Sequence, residues 1–184
     1  MIVENFLDKE VAKNILATIN RKDFKWRYKS KNHASAPENL SVFQFVHSLT
    51  SQVNNNRSEF CDDILNPVLD AFEASTGLKV KRVIRAKVNL LTRMDISEIE
   101  LAMMEHQDLY GEDVVNKYSI VFYIEDSDGD TVIFDNKHQI IEVASPKENS
   151  AVIFRSELVH RGTPPKVHKR RVILNVILEI EQNG

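Results

Sequence analysis

Three side chains in this sequence could share one metal ion: His106 and Asp108, two residues apart, and His160 far downstream. Two imidazoles and one carboxylate make a facial triad, a ligand set that leaves coordination positions open and suits Fe(II) chemistry with dioxygen. The two-residue spacing puts His106 and Asp108 on the same side of an extended segment, so each can offer one donor to a common ion. His160 ends a strand-like stretch, Glu157-Leu158-Val159-His160-Arg161-Gly162, and could reach the same point from across a sandwich. Structural zinc instead prefers a closed tetrahedral shell, usually with thiolates, and the only cysteine is Cys61. The other histidines, His33, His47, His138 and His168, have no carboxylate partner at strand spacing. His168 lies among Lys166, Lys169, Arg170 and Arg171, a poor cation site, and reads as solvated; His138 reads as part of a hairpin loop.

The elements that must position these groups change in period along the chain. Residues 2–6 read as a short strand, and Asp8 as the N-cap of a helix over 9–20 with Val11, Ile15, Leu16 and Ile19 at helical spacing. Residues 23–57 are irregular apart from a short strand at 41–46. A second helix is expected over 58–75, kinked or interrupted at Pro67 and ended by Gly77. Strands are then expected at 80–91, 117–124, 131–135, 139–144, 150–155 and 170–180. Asp126-Ser127-Asp128-Gly129-Asp130 reads as a hairpin turn. It has the acidic spacing of a calcium loop, but its glycine comes too early and the closing Glu is missing. Short strands after flanking helices suggest a β-sandwich or jelly roll with helices packed on one sheet.

Three strands carry one apolar and one mixed face. Ile84, Ala86, Val88 and Leu90 oppose Arg85, Lys87 and Asn89. Tyr118, Ile120, Phe122 and Ile124 oppose Ser119, Val121 and Tyr123. Val172, Leu174, Val176, Leu178 and Ile180 oppose Arg171, Ile173, Asn175 and Ile177. Side chains alternate across a strand. The apolar faces can therefore pack on the helices while the mixed faces line a cavity, or the mixed faces can form a partly exposed sheet surface.

At 184 residues and 42% apolar content the chain fits one domain with a substantial core. A formal net charge of -3 gives no reason to expect nucleic acid. Cys61 can form no internal disulfide and sits in a helical, acidic neighbourhood, where a buried inert thiol is expected. The N-terminus lacks a basic region and a long apolar stretch, and no run approaches membrane-spanning length. A cytoplasmic protein without membrane association is expected, leaving the sequons at Asn39-Leu40-Ser41 and Asn56-Arg57-Ser58 unused.

With this strand context, residues 80–180 resemble the prolyl 4-hydroxylase-like branch of the 2-oxoglutarate- and Fe(II)-dependent dioxygenases. The resemblance is carried by His106-Gln107-Asp108, the strand Tyr118-Ser119-Ile120-Val121-Phe122-Tyr123-Ile124, then Asp128-Gly129-Asp130-Thr131-Val132-Ile133-Phe134. It continues through Pro146-Lys147-Glu148-Asn149-Ser150-Ala151-Val152-Ile153-Phe154, His160-Arg161-Gly162-Thr163-Pro164 and Arg171-Val172-Ile173-Leu174-Asn175. Val3-Glu4-Asn5-Phe6-Leu7 and its helix look like the usual lead-in.

The resemblance implies a double-stranded β-helix (jelly roll) of mainly β structure with flanking helices. It spans one domain over 1–184, with helical support at 1–78 and a jelly-roll core at 79–182. It also implies that His106, Asp108 and His160 ligate Fe(II). A basic residue after the second histidine would hold the distal carboxylate of 2-oxoglutarate; Arg171 fits by strand phase, with Arg170 pointing outward, and a one-residue slip would reverse the choice. Tyr123 would donate its hydroxyl to that carboxylate, and Thr131 and Asn89 are further candidates for the pocket wall. Where many relatives carry paired glycines, this chain has Asp128-Gly129-Asp130, which leaves the approach of the next strand open.

The implied reaction oxidises an unactivated C–H bond, hydroxylation being the default, with dioxygen consumed, succinate and CO2 as co-products and ascorbate as an optional reductant. A peptide or protein side chain, or a small molecule, would be the substrate. The loops at 23–57 and 92–117, including a short helix or lid over 98–105, would flank the cavity mouth. Trp26, Arg27 and Tyr28 read either as substrate contacts or as a surface cluster. Two other readings compete: a non-enzymatic jelly-roll binding protein, and a cupin-like metalloenzyme that does not use 2-oxoglutarate.

Overall fold

The computed structural model describes residues 1–31, 37, 41–52, 55–109 and 114–181. His33, and Asn39 and Leu40 of the first sequon, lie outside them.

In chain order the elements are β1 (Ile2–Val3), α1 (Lys9–Ile19), β2 (Arg27–Lys29), β3 (Gln44–Ser51), β4 (Asn56–Arg57), α2 (Cys61–Thr76) and β5 (Val80–Thr92). They continue with α3 (Glu98–Met103), β6 (Lys117–Tyr123), β7 (Thr131–Phe134), β8 (Ile140–Ala144), β9 (Ser150–Arg155), β10 (His160–Gly162) and β11 (Arg170–Ile180). Among the described residues these form an eight-stranded sheet ordered β1-β9-β6-β11-β5-β3-β2, with β4 on β3, and a three-stranded sheet ordered β10-β7-β8. Every pairing is antiparallel.

The helices form where their caps and apolar stripes require. The Asp8 carboxylate accepts from the Glu10 amide at 2.9 Å, satisfying one of the donors left open at a helix start. α2 runs through Pro67 without interruption and ends at Gly77, whose φ of 71° is the left-handed cap a side chain would resist. Ile15, Ile19, Ile64, Leu65, Val68 and Phe72 of the two helices share a core with Ala86, Val88, Ile120, Phe122, Val172, Leu174, Val176 and Leu178 of the large sheet. Burying a side chain such as Phe72, which is fully buried, stabilises by roughly 1.5–3 kcal/mol. The apolar faces therefore meet the helices, and the mixed faces point the other way.

A second cluster closes part of that other face. Ile133 and Ala144 of the small sheet pack on Val121, Tyr123, Val152, Phe154 and Ile173. This cluster takes in β6, β9 and β11 but no residue of β5, β3 or β2.

Three local expectations are corrected. Residues 23–57 contribute β2, β3 and β4, which extend the large sheet. The register of β5 slips against β11 between Ile177 and Leu178, pairing Arg85 with Ile177 but Val83 with Leu178. The extra residue at Ile84 is a bulge, and Val83 rather than Ile84 packs on the helical core. Asp126 to Asp130 is no hairpin: β6 and β7 belong to different sheets, and the segment crosses between them. Its carboxylates receive backbone amides, Asp128 from Lys166, Val167 and His168 at 2.8–2.9 Å and Asp126 from Glu148 at 2.7 Å.

Candidate metal centre and cosubstrate pocket

His106 follows α3, which begins with a reciprocal capping box between Ser97 and Glu100. Leu101 and Met104 anchor this segment against Val42 and Leu91. From there the chain pairs with the start of β10. His106 and His160 are direct antiparallel partners, each amide donating to the other's carbonyl at 3.0 and 2.9 Å. Gln107 turns away and donates from Nε2 to the Glu157 carbonyl at 2.6 Å, clamping the two segments together.

This pairing brings the donors of His106, Asp108 and His160 within 4.8 Å of one another. His160 Nε2 lies 3.7 Å from Asp108 Oδ2. His106 Nδ1 sits 2.9 Å from the Met104 carbonyl and His160 Nδ1 3.1 Å from the Leu158 carbonyl. A carbonyl only accepts, so both Nδ1 atoms carry the proton and both Nε2 lone pairs face the centre, the tautomer a metal requires. Asp108 Oδ1 accepts from Arg85 Nη2 at 2.9 Å, and Oδ2 accepts from Ser119 Oγ at 2.8 Å. Burial alone would raise the Asp108 carboxyl. Interaction with His160, Arg85, His106 and Lys87 outweighs it and holds the group well below the usual carboxylate range. Two neutral imidazoles and one ionised carboxylate, converging and oriented from behind, fit Fe(II).

The same cavity is lined by Asn89, Thr131, Gly162, Arg171 and Asn175. Arg171 is buried, 3% exposed. Its Nε donates to the Gly129 carbonyl at 2.6 Å and its Nη2 to Thr131 Oγ1 at 2.7 Å, and no carboxylate among the described residues pairs with it. A buried guanidinium without an acid is costly unless a ligand supplies one, and burial lowers its pKa accordingly. Arg170 points outward into a two-pronged pair with Glu125 at 2.7 and 2.8 Å. Thr163 and Arg171 crowd Gly129 so closely that a Cβ there would lie 2.4 Å from the Thr163 carbonyl oxygen. The single glycine thus supplies the close approach that the sequence left open.

Tyr123 is fully buried and stands behind Thr131, outside the cavity lining. Its hydroxyl lies 2.8 Å from Thr131 Oγ1 and 3.0 Å from the Ala144 carbonyl, so it supports the pocket wall. Asn89 lines the cavity, and its Oδ1 is buried without a partner, as is that of Asn175.

Four residues of the site escaped the sequence reading: Arg85, Ser119, Lys87 and Asn175. Their signal was membership of the mixed faces. Which polar group meets which needed the register: Lys87 faces Asn175, and Ile177 stands between Arg85 and Ser119. The remaining described histidines are engaged elsewhere. His47 bridges the Lys25 carbonyl at 2.9 Å and Ser58 Oγ at 2.7 Å. His138 lies 3.0 Å from Glu105 and His168 2.9 Å from Asp128. Trp26 packs on the helical core, Tyr28 is exposed, and Arg27 points to the opposite face of β2.

Comparison with known proteins agrees with this geometry. The sequence model of the 2OG-Fe(II) oxygenase superfamily matches residues 96–179, which include all three candidate ligands and Arg171. A prolyl-4-hydroxylase from Pseudomonas putida has a similar structure, with TM-score 0.65 and 16% identity over 98% of this chain and 92% of that one. An oxidoreductase of the 2OG-Fe(II) oxygenase family from Burkholderia pseudomallei gives TM-score 0.71 and 14% identity over 100% and 86%. A prolyl hydroxylase from Trichoplax adhaerens, in complex with a hypoxia inducible factor oxygen degradation domain peptide fragment, gives 0.68 and 11% over 97% and 82%. No curated protein sequence matches the chain.

Proposed function

We propose that the chain is a member of the 2OG-Fe(II) oxygenase superfamily, whose sequence model matches residues 96–179, and that it hydroxylates an unactivated C–H bond of a peptide side chain or small molecule. His106, Asp108 and His160 hold the iron, and Arg171 with Thr131 holds the distal carboxylate of 2-oxoglutarate. Bound iron, 2-oxoglutarate and dioxygen supply the oxidation, with succinate and CO2 as co-products.

The chain's own residues bind, orient and exclude. The Met104 and Leu158 carbonyls keep both imidazoles in one tautomer. Arg85 and Ser119 keep Asp108 ionised and aimed. Tyr123 fixes Thr131, and Ile173 and Val121 give the cavity a dry wall. Hydroxylation needs no general base, so no nucleophile-and-base pair is required.

One observation carries the reading: three pre-oriented donors and an acid-free buried guanidinium share one cavity. A peptide substrate is supported by the Trichoplax adhaerens complex and by the inner face left open beside β5. No described helix is long and apolar enough to cross a membrane; a cytoplasmic location is part of the proposal, in keeping with a single buried thiol.

Anaerobic titration tests it. Fe(II) followed by 2-oxoglutarate should give a weak visible charge-transfer band that His160→Ala abolishes. Tight metal binding without the band would favour a cupin-like enzyme, and no metal binding a plain binding module.

A further inference from the structure

Beside the metal cavity, on the half of the inner face outside the second cluster, lies a second cavity of about 440 Å³ whose lining includes Arg27, Lys29, Arg85 and Lys87. The rest of its wall is Val46, Ser48, Ser51 and Asn56, with no acidic side chain. This concentration of cations does not reflect a basic protein, since the chain carries a formal net charge of -3.

Among the described residues three of the four cations are unneutralised. The side chains of Arg27, Lys29 and Lys87 have no ion pair or hydrogen bond among the described residues. Arg85 uses Nη2 on Asp108, but its Nε is buried without a partner. Asp108, the carboxylate that Arg85 meets, is already engaged by Arg85 and Ser119. Lys29 and Arg85 both repel the Lys87 ammonium. Like charges held together in a cleft cost stability and focus a positive potential into it, and an anion entering the cleft would relieve that repulsion.

The cleft is continuous with the chemistry. Lys87 lines both cavities, and two residues before it Arg85 holds the candidate ligand Asp108. The β2–β3 register places Arg27 opposite Val46 and Lys29 opposite Gln44, so both cations project from the edge strand over the same face as Lys87. An anion resting on Lys87 would have its neighbouring atoms directed toward the metal ligands.

We propose that this groove is the substrate subsite for an anionic oxygen group, a carboxylate or phosphate, carried a short distance from the carbon that is oxidised. The assignment rests on the function proposed above and adds the charge of the substrate to it. The shared chemistry comes either from a free organic acid or from an acidic side chain of a peptide, and the two arms of the test separate these.

The test uses the full chain loaded anaerobically with Fe(II) and excess 2-oxoglutarate, whose visible band reports the underlying reading independently. Calorimetric titrations at low ionic strength compare N-acetylglutamate with N-acetylglutamine, and a capped glutamate-containing hexapeptide with its glutamine counterpart. In at least one arm the acidic member should bind about tenfold more tightly than the neutral one. The preference should weaken with salt and fall about tenfold in Arg27→Ala/Lys29→Ala, while the band persists. A preference in the first arm alone identifies a free acid, and one in the second an acidic peptide. Equal binding of acidic and neutral members, or a preference that survives the double substitution, overturns the subsite while leaving the band and the metal reading intact. Absence of the band in the unaltered chain overturns both.

Discussion

His106 and His160 are joined twice: their amides and carbonyls exchange hydrogen bonds at 3.0 and 2.9 Å, and their rings lie 4.5 Å apart with both Nδ1 atoms turned to backbone carbonyls. The bridge is made of backbone, so it survives loss of either ring. His160→Ala should keep the fold yet lower Fe(II) affinity at least about a hundredfold. Direct metal titration with circular dichroism on the same sample checks both halves. Unchanged metal affinity would remove His160 from the ligand set.

The two adjacent arginines should behave differently. Arg171 faces the cavity with no acid among the described residues, whereas Arg170 is paired with Glu125. Truncating a buried, charge-assisted contact costs about 2–5 kcal/mol, so Arg171→Ala should weaken 2-oxoglutarate binding by roughly thirty- to several-thousandfold. Arg171→Lys should recover part of it, lacking the planar fork. Arg170→Ala should leave 2-oxoglutarate affinity within about twofold, since its guanidinium points away from the cavity into the pair with Glu125. A larger effect from Arg170 would mean that the phase of β11 is wrong.

Gly162 and Gly129 both give Arg171 its room, at different cost. A Cβ on Gly162 would lie 3.0 Å from Arg171 Nη1, the far end of a flexible side chain. Gly162→Ala should therefore shift the guanidinium and weaken 2-oxoglutarate binding with little change in Tm. On Gly129 the Cβ would strike the Thr163 carbonyl at 2.4 Å, and Gly129→Ala should destabilise the fold itself by about 1–3 kcal/mol. Thermal melts beside 2-oxoglutarate titrations separate the two effects.

Lys87 supplies a pH signature. Burial, then repulsion by Arg85 and Lys29, pushes its ammonium down to about 8, against the partial support of Asp108. The unfolded chain would hold that proton up to about 10.4. Between these values the unfolded state binds more protons than the folded one, so this contribution to stability rises with pH; below about 8 both states are charged and the penalty is constant. Lys87→Met should thus melt higher than the unaltered chain at pH 7, by a few degrees if about 1 kcal/mol is relieved. Its advantage should shrink as pH rises from about 8 to about 10.4. A difference that stays flat across that window would show that Lys87 is not held at a depressed pKa.

Much of this was readable from local pattern. The strict alternation over 170–180 placed Arg171, Ile173 and Asn175 on one face and the core-forming valines and leucines on the other, because a strand has no other way to arrange successive side chains. The spacing of His106 and Asp108 put both donors on one side for the same reason. Pattern failed at Ile84, where a bulge inserts one residue and inverts the faces of β5 beyond it. No propensity marks such a slip; it arises from the twist and fit of the neighbouring strand. The segment at Asp126 to Asp130 misled for a related reason, since turn-forming residues serve equally to cross between sheets.

The sequence by itself determined the kinds of group available: two imidazoles, a carboxylate, an arginine on the mixed face of the last strand, and strands to carry them. Only the tertiary structure decided that His160 pairs with His106, that Arg85 rather than water faces Asp108, and that four cations remain gathered beside the metal cavity. Local chemistry follows from backbone geometry over a few residues. Proximity between residues far apart in the chain follows from which apolar faces are buried together, and that is a property of the whole fold.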